Sequence, residues 1–150
     1  MGQSSHRIGE KSQLEESMEF VSNGYCFACG EKNPHGLKMK FQVDPEKQTI
    51  QTEFTVEPIY QGWDGVVHGG IISTLLDETM ANLVYHLGFN AIAASLEVRF
   101  KHPTPILQPL LIQGEITEVH KKLVKAKASL QKEDGTLLAT ATSSFVRQGP

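Results

Sequence analysis

The sequence predicts an α+β fold in which one curved antiparallel β-sheet wraps around a single long central α-helix. Three observations carry this. One stretch of about 18 residues, roughly 70–87, is apolar on most sides at helical spacing and ends at Gly88. Segments on both sides of it alternate apolar and polar residues with the period of a strand. The connections between those segments are short, which favours antiparallel pairing.

Taken in order, residues 1–20 read as a tail, disordered over 1–10 and with a short helical pattern over 11–20 that puts Leu14 and Met18 on one side. Residues 21–150 read as a single domain. The segment SNGYCFACGEKNPHG is dense in Gly, Asn and Pro and reads as an ordered loop. Leu37, Met39 and Phe41 then alternate with Lys38, Lys40 and Gln42, a half-buried strand. After the turn DPEKQ, Ile50, Thr52, Phe54 and Val56 form a second strand that stops before Pro58. A Gly-rich connection, PIYQGWDGVV, leads into the helix. Its apolar residues are Ile71, Ile72, Leu75, Leu76, Met80, Leu83, Val84 and Leu87, so the helix is largely buried. His86 near its end complements the helix dipole. Strands follow over 92–100, 110–119, 123–130 and 137–146, the last two joined at Asp134-Gly135, a strong hairpin signal.

Composition bounds the function. The chain has 150 residues, and its net charge is −3 from 14 basic and 17 acidic side chains, where a nucleic-acid binder shows a basic excess or stripe. No apolar run approaches the roughly 18 residues of a membrane span. The start MGQSSHRIGEKSQ lacks the apolar centre of a signal peptide, and His6 stands where a myristoylation pattern needs Ser or Thr. A cytoplasmic protein is expected. Cys26 and Cys29 are the two cysteines, spaced C-x-x-C. A structural zinc site normally takes four ligands, no second Cys pair exists, and His35 has no companion at finger spacing. The expectation is therefore no metal and two reduced thiols packed in a turn.

The chemistry-bearing stretch is VVHGGIISTLLDETM, 66–80. It sets a His68-Gly69-Gly70 corner directly before the helix and places one carboxylate, Asp77, among Leu75, Leu76 and Met80. Glycines at a helix start let a ligand approach the backbone. The first N–H groups of a helix lack partners within it and lie at its positive end, which suits a carbonyl oxygen gaining negative charge. A carboxylate in apolar surroundings is raised towards neutral and becomes a better base. No G-x-S-x-G elbow offers a nucleophilic serine. Asp77 follows Gly69 by eight residues, about 12 Å along a helix. One reacting carbon cannot be within about 3 Å of both. A second copy, its helix antiparallel across a two-fold axis, would bring Asp77 of one subunit to Gly69 of the other. Glu78, about 100° around the helix, reads as a solvated or inter-subunit charge, and Trp63 and Tyr60 as packing residues.

Four segments together resemble the hotdog-fold acyl-CoA thioesterases of the PaaI-like and 4-hydroxybenzoyl-CoA thioesterase group. They are CFACGEKNPHGLKMKF (26–41), YQGWDGVVHGGIISTLLDE (60–78), SLEVRFKHPTP (95–105) and DGTLLATATSSF (134–145). The most specific is His-Gly-Gly followed by an acid nine residues after its His. The Cys-x-x-Cys-Gly and Asn-Pro-x-Gly-Leu opening looks like that of a bacterial subgroup. The resemblance implies thioester hydrolysis without a cofactor, in a homo-oligomer, dimer or tetramer, acting on acyl-CoA. It implies Asp77 as general base or nucleophile, Gly69 as the N–H donor to the thioester carbonyl, and His68 as a residue that shapes the loop. Relatives carry Asn or Gln where Gly62 stands here, with Gln61 beside it, and Ser or Thr where Ala93 stands. Ser95, two residues on and so expected on the same strand face, or Ser73 on the helix, is the substitute. Gly70, Gly62, Ser73 and Ser95 are thus expected at the substrate, with Arg99, beside Lys101 and His102, able to meet coenzyme A phosphates. Two other functions fit the fold: a non-catalytic acyl-CoA-binding protein, and a hydratase or dehydratase, whose Asp–His motif is not found here.

Overall fold

The computed structural model describes residues 20–149, so the expected tail lies outside them except for Phe20, whose N–H donates to Asn90 Oδ1 at 3.3 Å. The elements are β1 (Gln42–Asp44), β2 (Thr49–Thr55), a 3₁₀ turn (Pro58–Tyr60), α1 (Gly69–His86), β3 (Ala91–Phe100), β4 (Pro109–Val119), β5 (Leu123–Lys132) and β6 (Leu137–Arg147). The six strands form one antiparallel sheet in the order β1-β2-β4-β5-β6-β3. The α+β prediction holds: α1 packs on one face of this sheet and touches β2, β3, β4, β5 and β6. Register shifts interrupt three ladders, at Ala93/Ser95, Ile116/Glu118 and Leu130/Gln131. Such bulges bend a strand and increase its twist.

The core lies between α1 and the sheet. Leu75, Leu76, Met80 and Leu83 of the helix are fully buried, as are Leu110, Ile112, Val124 and Leu130 facing them. Helix and sheet approach closely at Gly114, where a Cβ would stand 3.0 Å from Ile50 Cγ2 and 3.5 Å from Thr79 Cγ2. Thr79 is buried there because its hydroxyl donates to the Leu75 carbonyl at 2.7 Å. The helix ends in a Schellman motif: Gly88 N–H donates to Tyr85 O and Phe89 N–H to Val84 O. Gly88 takes φ +90°, the left-handed turn that favours glycine there. The β5–β6 hairpin turns at Gly135, with φ +89°, and Thr136 N–H donates to Asp134 Oδ1.

One expected strand is corrected. Leu37 and Met39 are buried and Lys38 and Lys40 exposed, as the alternation requires, but the segment is not a sheet strand and β1 begins only at Gln42. Lys38 has φ +57°, which breaks an extended ladder. Leu37 and Met39 instead donate to the carbonyls of Phe27 and Ala28, so the segment braces the cysteine loop.

No helix among the described residues is long and apolar enough to cross a membrane. The packing makes a direct prediction. Leu76→Ala, at a fully buried site, should cost about 2–5 kcal/mol in denaturant unfolding. Ile59→Ala, at a residue 78% exposed, should stay within about 0.5 kcal/mol of the parent.

Candidate functional site

The corner before α1 is held by backbone. His68 N–H donates to Tyr60 O at 3.0 Å, Val67 N–H to Thr104 O at 2.8 Å and Gly62 N–H to Val66 O at 2.8 Å. The Gln61 side chain accepts from Gly65 N–H at 3.0 Å, so it shapes this turn, in which Gly65 has φ +74°. His68 is the N-cap of α1, and its Nδ1 accepts from Gly70 N–H at 2.9 Å. That bond fixes the tautomer. Nδ1 must carry the lone pair, so the neutral ring holds its proton on Nε2. The N–H groups of Ile71 and Ile72 both donate to His68 O. Among the described residues, no acceptor takes the remaining first-turn donor, Gly69 N–H.

The two glycines have different reasons to be glycine. At Gly70 a Cβ would press the capping imidazole, 3.2 Å from Nδ1. At Gly69 a Cβ would have ordinary room, 3.6 Å from the Phe100 ring, and the residue does not take a positive φ. The fold of one chain does not require glycine at 69. What glycine leaves there is an open path to the free N–H.

Asp77 lies two turns further along the same helix face, with Ser73 between them. The Ser73 hydroxyl donates to Gly69 O at 3.0 Å. Asp77 is half-buried, and no hydrogen bond or ion pair reaches its carboxylate among the described residues. Burial pushes its carboxyl above the ordinary range, and the charge of Glu78 next to it pushes the same way. Since both residues belong to the one helix Gly69–His86, they are about 12 Å apart within a chain.

Ser95 is placed differently from the expectation. Ala93 pairs with Phe145, which faces the core, but the shift after it pairs Ser95 with Ser144. Directly paired residues share a face, so Ser95 is on the opposite face from Ala93, away from the helix. The expectation that it shares Ala93's face is corrected: the extra residue, Ala94, reverses the alternation. Arg99 pairs with Thr140 on that outer face and bonds Glu97 at 2.9 Å, both exposed. It borders a groove of about 840 Å³ that runs over the outer face and includes none of His68, Gly69 and Asp77. Tyr60 packs against the core. Trp63 does not, being 85% exposed, so its expected packing role within the chain is corrected. His86 lies in the last turn, and its Nδ1–H donates to Asn82 O at 2.8 Å.

One cluster was not legible in the sequence. Glu78 turns towards the cysteine loop, where Cys26 Sγ donates to its Oε1 at 3.4 Å. Cys26, Cys29 and Glu78 are the group of potential metal ligands found among the described residues. Both thiols are free, and burial together with the Glu78 carboxylate pushes that of Cys29 up to about 12.

Comparison with known proteins bears on the chain as a whole. The family profile of the thioesterase superfamily matches residues 64–139, slightly over half of the chain and all of the corner and helix. Acyl-coenzyme A thioesterase THEM4 of Rattus norvegicus is 29% identical over 146 residues, covering 97% of this chain and 62% of that protein. THEM4 of Mus musculus is 29% identical over 91 residues, 60% of this chain and 39% of that one. The chain thus spans less than two thirds of the length of these relatives. Among solved structures, a thioesterase superfamily protein superposes with a TM-score of 0.76 at 23% identity, covering 97% of this chain and 80% of that one. A Streptococcus mutans protein crystallised with acetyl-CoA superposes with a TM-score of 0.69 at 19% identity, covering 74% and 89%. At such identities the likeness concerns the fold.

The capping role of His68 predicts a specific pattern. His68→Ala should lose about 1 kcal/mol of stability. His68→Asn, whose side-chain oxygen can accept the same N–H, should recover most of it, as read from thermal or urea unfolding.

Proposed function

The chain belongs to the thioesterase superfamily, and from that premise we propose that it hydrolyses acyl-CoA thioesters at a site completed by two copies of the chain. Asp77 is the general base and Gly69 N–H of the other copy is the oxyanion donor. The observation that carries this is one helix presenting two groups of opposite character that are unmet among the described residues, a half-buried carboxylate without a partner and a free N–H at the positive end of the dipole. The names of the curated relatives support the reaction class.

In this mechanism Asp77 takes a proton from a water whose oxygen bonds to the thioester carbon. The C=O electron pair moves to oxygen, and Gly69 N–H stabilises the oxyanion where the helix dipole is positive. Collapse restores C=O and breaks C–S. The coenzyme A thiolate leaves and takes up the proton held by Asp77, so the products are the free acid and the thiol. A raised carboxyl pKa suits this role, because a base acts best when its pKa approaches the working pH. Gly70, with no side chain, and Ser73, between donor and base, border the path of the acyl group.

The second copy is supported by the sheet edge. β3 is an outer strand of ten residues. Leu96, Val98 and Phe100 share its helix-side face through their pairing with Ser143, Ala141 and Ala139. Leu96 is 40% and Phe100 55% exposed. Among the described residues this long edge has no strand partner on its outer side, and such an edge with an apolar face invites pairing with another chain; the Phe100 ring would lie 3.6 Å from a Cβ at Gly69.

Activity, pH dependence, stability and assembly test the reading. Asp77→Asn should lower free-thiol release from acyl-CoA by about a hundredfold or more. In the parent, kcat/KM should rise with pH along an acid limb centred above the ordinary aspartate value of 3.8. Because folded Asp77 holds its proton more tightly than the unfolded chain, its contribution to stability is full below that value. It is lost as pH rises through the raised one. The inactive Asn variant should therefore melt no lower than the parent at neutral pH. Binding of acyl-CoA without thiol release by the parent protein would instead identify a carrier. Leu96→Glu should convert a sedimenting dimer or larger assembly into a folded monomer without hydrolase activity. A fully active monomer would exclude a shared site.

A further inference from the structure

We infer that Cys26, Cys29 and Glu78 form a mononuclear site for a thiophilic divalent cation, with Zn²⁺ as its chemical type, joining the cysteine loop to α1. The site is separate from the hydrolytic groups, and its case stands without them.

The loop presents both sulfurs without depending on a bond between them. Gly30 N–H donates to Cys26 O at 2.8 Å and Lys32 N–H to Gly24 O at 2.9 Å, closing the turn through the backbone. A Cβ at Gly30 would stand 2.4 Å from Cys26 N and 2.5 Å from Gly24 O, so only glycine closes it this tightly. The Leu37 and Met39 N–H groups brace the other side of the loop through Phe27 O and Ala28 O. This C-x-x-C turn is therefore shaped before any ion arrives, with the spacing common in zinc sites.

The helix supplies the third donor. Cys26 Sγ and Glu78 Oε1 are 3.4 Å apart, and the three donor atoms all lie within 4.8 Å of one another. A tetrahedral zinc with Zn–S of about 2.3 Å and Zn–O of about 2.0 Å holds a sulfur and an oxygen roughly 3.5 Å apart, and two sulfurs roughly 3.8 Å apart. The Cys26–Glu78 separation thus matches one edge of such a tetrahedron, and Cys29 Sγ lies within 4.8 Å of both. Asn82, one turn on from Glu78, donates from Nδ2 to Glu78 Oε1 at 2.7 Å and to Glu78 O at 3.1 Å. It orients the carboxylate, as outer-shell residues of metal sites do. Asn82 Nδ2 also reaches to 3.9 Å from Cys29 Sγ.

The donor set selects the ion class. Two sulfurs favour zinc-like cations over magnesium or calcium, which prefer oxygen. Binding releases one proton from each thiol to solvent. Two thiolates and one carboxylate then carry three negative charges against two positive ones. All three residues are half-buried, and a tetrahedral ion held by them would take its fourth ligand from outside this set, as water. The sequence alone favoured no metal because only two ligands were visible. The third is 49 residues beyond Cys29 and reaches the loop only through the fold.

The experiment is a Co²⁺ titration of the reduced, chelator-stripped full chain, followed by displacement with Zn²⁺. One equivalent of Co²⁺ per chain should give a thiolate-to-metal charge-transfer band and the intense visible bands of four-coordinate cobalt, and Zn²⁺ should abolish both. The doubly substituted Cys26→Ser, Cys29→Ser protein should bind none. Glu78→Gln should keep the charge-transfer band but bind about tenfold more weakly or worse. Circular dichroism of each variant checks folding, and the parent spectrum stands without any variant. Absence of the band in the reduced parent, recovery of only a Cys26–Cys29 disulfide from it, or unchanged affinity in folded Glu78→Gln overturns the three-ligand site. Thiol release from acyl-CoA is not the readout, so failure here leaves the hydrolase proposal untouched, and the converse.

Discussion

The rigidity of one buried helix governs the functional geometry of this protein. An α-helix rises about 1.5 Å per residue whatever its sequence, and α1 is held to that geometry by a fully buried apolar face of Leu75, Leu76, Met80 and Leu83. Gly69 and Asp77 are therefore kept at a fixed separation, and no loop motion within the chain can close it. The fold exposes the proposed donor and the proposed base while preventing the same chain from joining them. That prevention, more than either group alone, points to a second copy.

Helical periodicity also explains how two adjacent acids came to different environments. Successive residues turn by about 100°. With Ile72, Leu76 and Met80 turned into the core, Asp77 and Glu78 emerge on opposite flanks of the buried face. One flank continues the line of Gly69 and Ser73. The other faces the cysteine loop, where Asn82 and Cys26 bond to Glu78. Asp77, without such partners, bears the cost of partial burial as a raised pKa. The like charge beside it adds to that cost. A basic side chain paired with Asp77 would oppose both effects, and none bonds to it among the described residues.

Most of the fold was legible because periodicity reports directly on burial. Val124, Ala126, Ala128 and Leu130 of β5 are buried as their alternation requires, and Asp134-Gly135 turns the hairpin. The departures have local causes. Lys38 adopts a left-handed conformation that no pattern of apolar residues encodes, and it diverts Leu37 and Met39 from the sheet to the loop. The bulge at Ala94 turns Ser95 outward, and alternation carries no mark of an extra residue. Trp63 looked like a packing residue because aromatic residues usually are, yet it stands in solvent beside the corner. Of the site, the corner and the helix acid were visible as a linear motif. The cluster at Glu78 was not, because its members come from a loop and a helix far apart in sequence.

The exposed features that remain are grouped, and their grouping matters more than their number. Leu96 and Phe100 line the helix side of the β3 edge, which has no outer strand partner among the described residues, the Phe100 ring lies 3.6 Å from where a Cβ at Gly69 would stand, and Trp63 stands on the turn that leads to His68. An unpaired strand edge is a hazard to a monomer, since it offers backbone groups to any passing strand. A free N–H and an unpaired half-buried acid are likewise deficits of a single chain. A two-fold contact along β3 would bury the apolar strip, satisfy the edge and set two antiparallel helices side by side, so that each deficit on one chain is met by its counterpart on the other. A contact elsewhere, for example over the outer groove, would leave the edge and both helix groups as they are. The economy of a single contact meeting three separate needs is the physical reason for proposing the interface at β3.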